Sequence, residues 1–253
     1  MEYILLITVL LLLIYTFHKV RRIHLMLYNV KNQLQELSNK GLDNLFNQLE
    51  ALNSLYLDLD FKKSLPPTRG WYASPDILFL IANHVLSKKP KVVVECGSGV
   101  STLILARSLQ INSIGHVYSL EHLTEYAQET QTLLKKHGLS EWATVINAPL
   151  KAYEMKEEAW PWYFIEKLPQ TGIDMLVIDG PPGDTRPLAR YPAGPFLFNR
   201  LNIGAFVFLD DANRSDEKEI LKIWKEEHPD LKQEVSYCEK GCAILDKVRN
   251  DKV

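Results

Sequence analysis

The clearest chemical pattern in this chain is Glu95-Cys96-Gly97-Ser98-Gly99, which follows the apolar residues 92–94. Two glycines permit a tight turn from a strand into a helix and let a ligand approach the backbone closely. The first amides of that helix are unpaired donors, so a nucleotide-like ligand is expected. Glu95 would repel a pyrophosphate but attract an ammonium group, and Thr102 replaces the third glycine of the dinucleotide fingerprint. The ligand should therefore carry a cation.

Two further polar positions follow strand-like segments downstream. Glu121 ends the segment 116–121, 22 residues after Gly99, where a carboxylate can accept hydrogen bonds from both hydroxyls of a ribose. His122 is expected at the rim of the same site or on the surface. Asn147 and Ala148 end the segment 143–147, where a polar side chain and a small neighbour could hold the edge of an adenine.

Three carboxylates follow the next two strand-like segments. Asp179 ends residues 174–179 and precedes the rigid turn 180–183, while Asp210 and Asp211 end residues 205–210. Carboxylates at adjacent strand ends repel one another unless they are protonated or bridged by a cation, and oxygen ligands suit Mg²⁺. A magnesium site is therefore expected. The open alternative is that Asp210 or Asp211 caps a helix starting near Arg214.

The stretch 186–195 (RPLARYPAGP) is expected to border the pocket of a second substrate, the acceptor. Its arginines, Arg186 and Arg190, could clamp a phosphate or carboxylate of the acceptor. An ordinary surface position for both is the equally open alternative.

The elements that must position these residues alternate between strand-like and helix-like segments after residue 75. Helices are predicted at 100–109 and 123–136, and strands at 91–95, 116–121, 143–147, 174–179 and 205–210, with a closing hairpin at 233–237 and 242–246. This alternation is typical of an α/β open sheet with helices on both faces. Ligands of such a sheet bind at the carboxyl ends of its strands.

Because these polar residues follow successive strands, the segment 70–247 resembles the class I S-adenosylmethionine-dependent methyltransferases. The first motif matches at Glu95, Gly97 and Gly99, the second at Glu121, the third at Asn147-Ala148, where many members have Asp before Ala, and the fourth at Asp179. The resemblance implies a Rossmann-like sheet and S-adenosylmethionine as cofactor. The cofactor-binding residues it implies are Glu95, Gly97, Ser98, Gly99, Ser101, Thr102, Glu121, His122, Asn147 and Ala148.

The acidic strand ends are similar to those of the catechol-type and macrolide-sugar O-methyltransferases. That similarity implies Mg²⁺ on Asp179, Asp210 and Asp211, a hydroxyl acceptor oriented by the metal, and Asp179 as the general base. The catechol-type enzymes have a Lys shortly after the fourth-strand Asp, whereas this chain has Asp184, Thr185 and Arg186. The identity of the base is therefore open.

The N-terminus has the composition of a membrane anchor. Residues 3–17 are uncharged and almost wholly apolar, and the basic residues Lys19, Arg21 and Arg22 follow at once. A cleaved signal peptide would have its basic residues before the apolar run, whereas here they come after it. Basic residues on the C-terminal side predict a single-pass protein with its catalytic domain in the cytoplasm, at a bacterial inner membrane.

Residues 23–59 show apolar residues three and four positions apart in two blocks, which slip in register near Gly41. Two helical pieces with a joint are predicted. A self-associating stalk that makes a homo-oligomer and a helix packed on the catalytic domain are equally open. Leu65-Pro66-Pro67 should end the helix. The predicted organisation is an anchor at 1–22, a stalk at 23–64 and a methyltransferase domain at 65–253, whose segment 65–75 could cover the cofactor with Trp71 or bury that side chain in the core.

The whole composition narrows the class of protein. With 29 basic and 31 acidic side chains the formal charge is −2, so no nucleic-acid partner is expected. Three cysteines are too few for a disulfide scaffold and indicate a reducing compartment. The expected function is methylation of a hydroxyl on a sugar, lipid-linked glycan or other small acceptor. A catalytically idle cofactor-binding scaffold at the membrane is the alternative, and an enzyme of NAD or nucleotide-sugars is a weaker one.

Overall fold

The computed structural model describes residues 1–68 and 70–249, with the side chain of Asn39 left out of the description. Arg69 of the predicted covering segment and residues 250–253 of the predicted domain lie outside this part of the chain. The elements in order are α1 (Glu2–Leu59), α2 (Pro75–Lys88), β1 (Val92–Cys96), α3 (Val100–Asn112), β2 (His116–Glu121), α4 (Thr124–His137), β3 (Ala143–Asn147), β4 (Leu150–Met155), β5 (Glu158–Tyr163), β6 (Ile173–Ile178), α5 (Ala193–Leu197), β7 (Leu201–Asp210), α6 (Ser215–Glu227), β8 (Leu231–Ser236) and β9 (Cys242–Lys247).

Seven strands form one sheet in the order β3-β2-β1-β6-β7-β9-β8. Strands β3, β2, β1, β6 and β7 are parallel, while β9 runs antiparallel to both β7 and β8. The chain order reverses between β1 and β6, which makes this the switch point where ligands of open α/β sheets bind. The predicted α/β fold class and its strand segments are confirmed.

Side chains alternate between the two faces of the sheet, as the period of a strand requires. In β6, Met175 and Val177 pack with α2 and α3, whereas Leu176 and Ile178 pack with Phe198 and other residues of the opposite layer. Other elements of the domain cover both faces of the sheet. The parallel strands therefore consist of nearly continuous apolar residues.

The short helix α5 and two larger features of this domain were not predicted from the sequence. One is α2, which begins at Pro75 after Ser74 and packs against α3. The other is the antiparallel hairpin of β4 and β5, which forms a separate two-stranded sheet. Its residues Trp160, Trp162 and Tyr163 are buried in the core. Proline has no amide hydrogen to donate within a sheet, so Pro161 argued against a strand at this position.

The chain divides into two compact units, Met1–Asn47 and Gln48–Val253. In the first unit, residues 2–47 are helical and the apolar side chains of residues 3–17 are exposed. This helix is long and apolar enough to cross a membrane, with a mean hydropathy of 2.0 in its best window, a property that a signal sequence shares. The break predicted near Gly41 is wrong, because helix continues through it. A single helical glycine costs only about 1 kcal/mol.

The second unit begins with the last turns of α1, so the compact unit starts earlier than the predicted boundary at residue 65. Leu55 and Leu59 are completely buried in the core layer that also contains α2 and α3. The helix ends at Leu59 rather than at residues 65–67. Asp60 adopts a positive φ of 47°, and the Arg107 Nε donates to the Leu59 carbonyl oxygen at 2.7 Å. That guanidinium satisfies one of the carbonyls left unpaired at a helix end.

Candidate active site

The carboxyl ends of β1, β2 and β6 open into one cavity of about 230 Å³. A second cavity of about 570 Å³ shares part of its wall with the first. The larger cavity falls within the roughly 300–1,000 Å³ typical of small-molecule sites, and the smaller one adjoins it. The first cavity is lined by the predicted residues Gly97, Ser98, Ser101, Glu121, His122 and Asp179, together with Trp71, Tyr72, Tyr126 and Tyr163.

The glycine loop depends on its first glycine for a physical reason. Gly97 has a φ of 104°, a conformation that side chains disfavour. The conformation is the reason, because a Cβ at this position would make only ordinary contact, at 3.5 Å, with the carbonyl carbon and oxygen of Asp179. The Gly97 amide donates to the Leu120 carbonyl oxygen at 2.9 Å, so the loop is tied to β2.

Glu121 holds the same loop from the end of β2. Its Oε2 accepts hydrogen bonds from the Ser98 amide at 3.1 Å and the Ser98 hydroxyl at 3.0 Å, and its Oε1 accepts from the Leu123 amide at 3.0 Å. His122 Nδ1 lies 3.1 Å from Oε1. Burial raises the pKa of Glu121, but the contacts with His122, Leu123 and Ser98 outweigh it and leave the pKa below its ordinary value. The group is a carboxylate at neutral pH.

Glu95 and Thr102 lie beneath the loop and do not line the described cavity, so their direct contact with the cofactor stays a prediction. Both side chains are completely buried. Glu95 Oε2 accepts hydrogen bonds from Thr102 Oγ1 at 2.6 Å and from the Ser119 hydroxyl, and Thr102 Oγ1 accepts from the Gly99 amide. Glu95 Oε1 is buried with no hydrogen-bond partner in the described part of the chain. That oxygen remains available to a donor that enters with the ligand.

Asn147 and Ala148 do not line the cavity either. Asn147 is exposed and its amide donates to Thr124 Oγ1 at 3.1 Å, while Ala148 is completely buried. The Ala148 amide donates to the Glu121 carbonyl oxygen at 2.7 Å. The third strand therefore supports the end of β2, and a direct contact of these two residues with a cofactor stays a prediction.

The three acidic residues Asp179, Asp210 and Asp211 come together as predicted, with one ligand atom from each within 4.8 Å of the others. A guanidinium lies among them. Arg190 Nη2 is 3.1 Å from Asp179 Oδ1 and 2.8 Å from Asp211 Oδ2, and Arg190 Nη1 donates to the Asp210 carbonyl oxygen at 2.8 Å. The cation that bridges these carboxylates is thus a side chain of the protein.

The protonation of the cluster follows from burial. Burial raises the pKa of Asp179 to about 6, with Arg190 opposing the shift and Asp211 adding to it. Burial, together with Asp179 and Asp211, raises the pKa of Asp210 to about 8, although Arg190 again opposes the shift. Both carboxyl groups therefore hold a proton more readily than an exposed aspartate does, which lowers the negative charge that the cluster presents.

These contacts do not fit the expected Mg²⁺. A magnesium ion needs carboxylate oxygens at about 2.0–2.1 Å in octahedral geometry, and two of the oxygens that would face it already face Arg190. The alternative of a helix cap is also wrong. Helix α6 begins at Ser215 after Arg214, and no side chain caps it.

The two arginines of residues 186–195 both contact acidic side chains of the protein itself. Arg190 is buried in the acidic cluster. Arg186 lies 3.0 Å from Glu158 Oε2, and its guanidinium stacks 3.4 Å from the centre of the Trp160 ring. Both guanidinium groups already face carboxylates of the protein, which does not favour the clamp on an anionic acceptor.

Tyr163 is a cavity residue that the sequence reasoning missed, as it also missed Tyr72, Leu123 and Tyr126. It ends β5, and its ring is 1% exposed. Burial holds the pKa of the Tyr163 hydroxyl well above its ordinary value, so it stays protonated. The aromatic run at 160–163 was the available signal. Trp71, for which a core position was an alternative, is 87% exposed and borders the cavity with Tyr72.

Known proteins share both the sequence and the fold of this domain. Residues 94–212 match the family model described as a methyltransferase domain. A protein-L-isoaspartate O-methyltransferase of Fervidobacterium nodosum is 25% identical over 169 residues, covering 61% of this chain and 82% of that protein.

Solved structures agree with the topology. The SAH-bound methyltransferase of Podospora anserina has a TM-score of 0.56 at 13% identity, over 79% of this chain and 88% of that one. The O-methyltransferase of Bacillus cereus in complex with SAH has a TM-score of 0.53 at 15% identity, over 78% of this chain and 91% of that one. The family match shows a methyltransferase domain at residues 94–212, and the solved structures show that this domain has the class I methyltransferase fold.

Proposed function

We propose that this chain transfers the methyl group of S-adenosylmethionine to a hydroxyl of a small uncharged acceptor at a membrane surface. The observation that carries the proposal is the convergence of the glycine loop, Glu121 and Asp179 on one cavity at the switch point of the sheet. The glycine loop and Glu121 offer the contacts for a nucleoside, and Asp179 offers a carboxylate beside them.

The residues present fit the cofactor. Gly97 lines the cavity without a side chain, so a ligand can approach its backbone closely. The Ser98 hydroxyl, which now donates to Glu121, is the contact that a ribose hydroxyl would replace. Glu95 Oε1, buried and unpaired among the described residues, is the acceptor left for a cationic amino-acid moiety.

The bound cofactor supplies an electrophilic methyl group on a sulfonium. The chain's own residues orient the acceptor and take its proton. Asp179 Oδ1 is fixed by Arg190, whose positive charge favours the ionised carboxylate, so Asp179 can act as the base. The protonated Tyr163 hydroxyl can donate to an acceptor oxygen from the same wall. Holding the two reactants together accounts for much of the rate in such a transfer.

The lining of the cavity favours an uncharged acceptor. Its described residues include four aromatic rings and no Arg or Lys. Aromatic rings present apolar faces that suit the ring of a sugar or an aromatic alcohol. The relative from Fervidobacterium nodosum is named for a carboxyl acceptor, L-isoaspartate in protein. A cavity without a cation suits a neutral hydroxyl better than a carboxylate.

The apolar helix supports the membrane part of the proposal. Residues 3–17 are exposed and apolar, and basic residues follow them, which favours a single pass with the domain in the cytoplasm of a bacterium. A lipid-linked glycan precursor would be concentrated near such an enzyme. Residues 23–59 could also join copies of the chain through the exposed Val30, Leu34 and Leu37. Mg²⁺ has no part in the proposed reaction, because Arg190 occupies the acidic cluster.

The test is calorimetric titration of the full chain in detergent micelles with S-adenosylmethionine and, separately, with NAD, each with Mg²⁺ and with chelator. Micromolar binding of S-adenosylmethionine in both conditions, without binding of NAD, supports the proposal. A folded chain that binds neither ligand favours the idle scaffold, and binding of NAD alone favours a dinucleotide enzyme. Transfer of labelled methyl to an isoaspartyl peptide rather than to a membrane glycan fraction would overturn the hydroxyl acceptor.

A further inference from the structure

Arg190 is placed as a counter-ion at the strand ends. Its side chain is 5% exposed. Nη2 lies between Asp179 and Asp211, and Nη1 donates to the main chain at the end of β7. Arg190 Nε faces Glu217 Oε1 at 3.6 Å. A single guanidinium thereby contacts acidic residues of β7, of α6 and of the turn after β6.

A second cation faces the same cluster. Arg214 Nη1 is 3.0 Å from Asp211 Oδ2, the oxygen that also contacts Arg190. A divalent ion bound to Asp179 and Asp211 would lie within a few ångströms of both guanidinium groups. Like charges at that separation repel strongly inside a protein, so the ion and the two arginines cannot share these oxygens at low cost.

We infer that Arg190 takes the place that a divalent metal has in catechol-type O-methyltransferases, so that this chain works without a divalent metal. Arg190 is a positioning residue, because its contact with Oδ1 holds the Asp179 carboxylate at the cavity wall. The positioning part of the inference rests on the proposed function. The metal independence rests on the geometry of the cluster alone.

The test uses Mn²⁺ as a probe, read by electron paramagnetic resonance, on the full chain in detergent micelles. Wild type is expected to bind no Mn²⁺ at this cluster. Arg190→Met, which keeps a long side chain but removes the charge, should bind Mn²⁺ at least about tenfold more tightly than wild type. Arg190→Lys should stay like wild type, and adding Asp210→Asn to Arg190→Met should remove the gained site.

Each outcome decides the inference. Saturable Mn²⁺ binding by wild type that Asp210→Asn abolishes overturns it, and this arm holds even where Arg190→Met does not fold. A folded Arg190→Met chain that gains no Mn²⁺ site also contradicts the counter-ion role. A gained site in Arg190→Met, absent from wild type and from Arg190→Lys, supports it. Titration of the same wild-type sample with S-adenosylmethionine separates a failure of this inference from a failure of the proposed function.

Discussion

Glu121 connects two strands of the sheet through the ligand loop. Its two oxygens accept three hydrogen bonds from Ser98 and Leu123, so the carboxylate both shapes the loop and faces the cavity. A carboxylate can do both because it offers about four acceptor positions and no donor.

Replacing Glu121 with Gln is expected to weaken binding of S-adenosylmethionine at least about tenfold, because the amide nitrogen would oppose the donors that the loop aims at this position. Calorimetric titration of the full chain measures the change. Glu234→Gln, at an exposed position of β8, is the matched control and should bind like wild type. Equal affinity in both variants would remove Glu121 from the cofactor site.

Because of the buried Glu95, we expect the free energy of unfolding to depend on pH. Burial raises its pKa from 4.5 to about 6, although the nearby hydroxyl groups of Ser101, Ser119 and Thr102 lower it. The folded chain therefore holds this proton more tightly than the unfolded chain does. The resulting stabilisation is fully present below pH 4.5 and is lost as the pH rises through 6, about 2 kcal/mol in all.

Urea unfolding of wild type and Glu95→Gln between pH 4 and pH 7 measures this contribution. The difference in the free energy of unfolding between the two chains should change across that range. The corresponding difference for Glu234→Gln, whose side chain is exposed, should stay constant. A constant difference for Glu95→Gln would mean that this carboxyl titrates normally in the folded chain.

Among the elements, the end of α1 has a larger structural role than its sequence indicates. Leu55 and Leu59 are completely buried, whereas Leu57 between them is 71% exposed. Leu55→Ala should lower the free energy of unfolding by about 2–5 kcal/mol. Leu57→Ala should change it by no more than about 0.5 kcal/mol, since surface substitutions usually do little. Denaturant titration compares the two, and equal losses would contradict the packing of this helix end.

At the scale of the whole molecule, we expect the first unit to bind membranes and the second unit to bind the cofactor. The full chain should float with vesicles of phosphatidylglycerol and phosphatidylethanolamine, because residues 3–17 are apolar and exposed. A chain that begins at Gln48 keeps the buried residues of α1 and should stay soluble while binding S-adenosylmethionine with unchanged affinity. A chain that begins at Lys62 lacks Leu55 and Leu59 and should be markedly less stable. Failure of the full chain to float would contradict the anchor.

Much of the fold of this protein can be predicted from its sequence. Each predicted strand of the main sheet is present, and the loop at residues 95–99 joins β1 to α3 as its glycines predict. These features depend on local periodicity and on turn chemistry, which a sequence displays directly. The hairpin of β4 and β5 was missed because its aromatic residues belong to a core whose other members are distant in the chain.

What the sequence by itself determined is the class of fold, the cofactor loop and the set of strand ends that carry polar residues. Only the tertiary structure decided which of these residues face the cavity and which lie beneath the loop, as Glu95 does. It also decided the partner of the acidic cluster. Arg190 is 11 residues from Asp179 and 21 from Asp211, and packing brings it to both. A surplus of buried charge requires a counter-ion, but only the folded chain shows which cation is nearest.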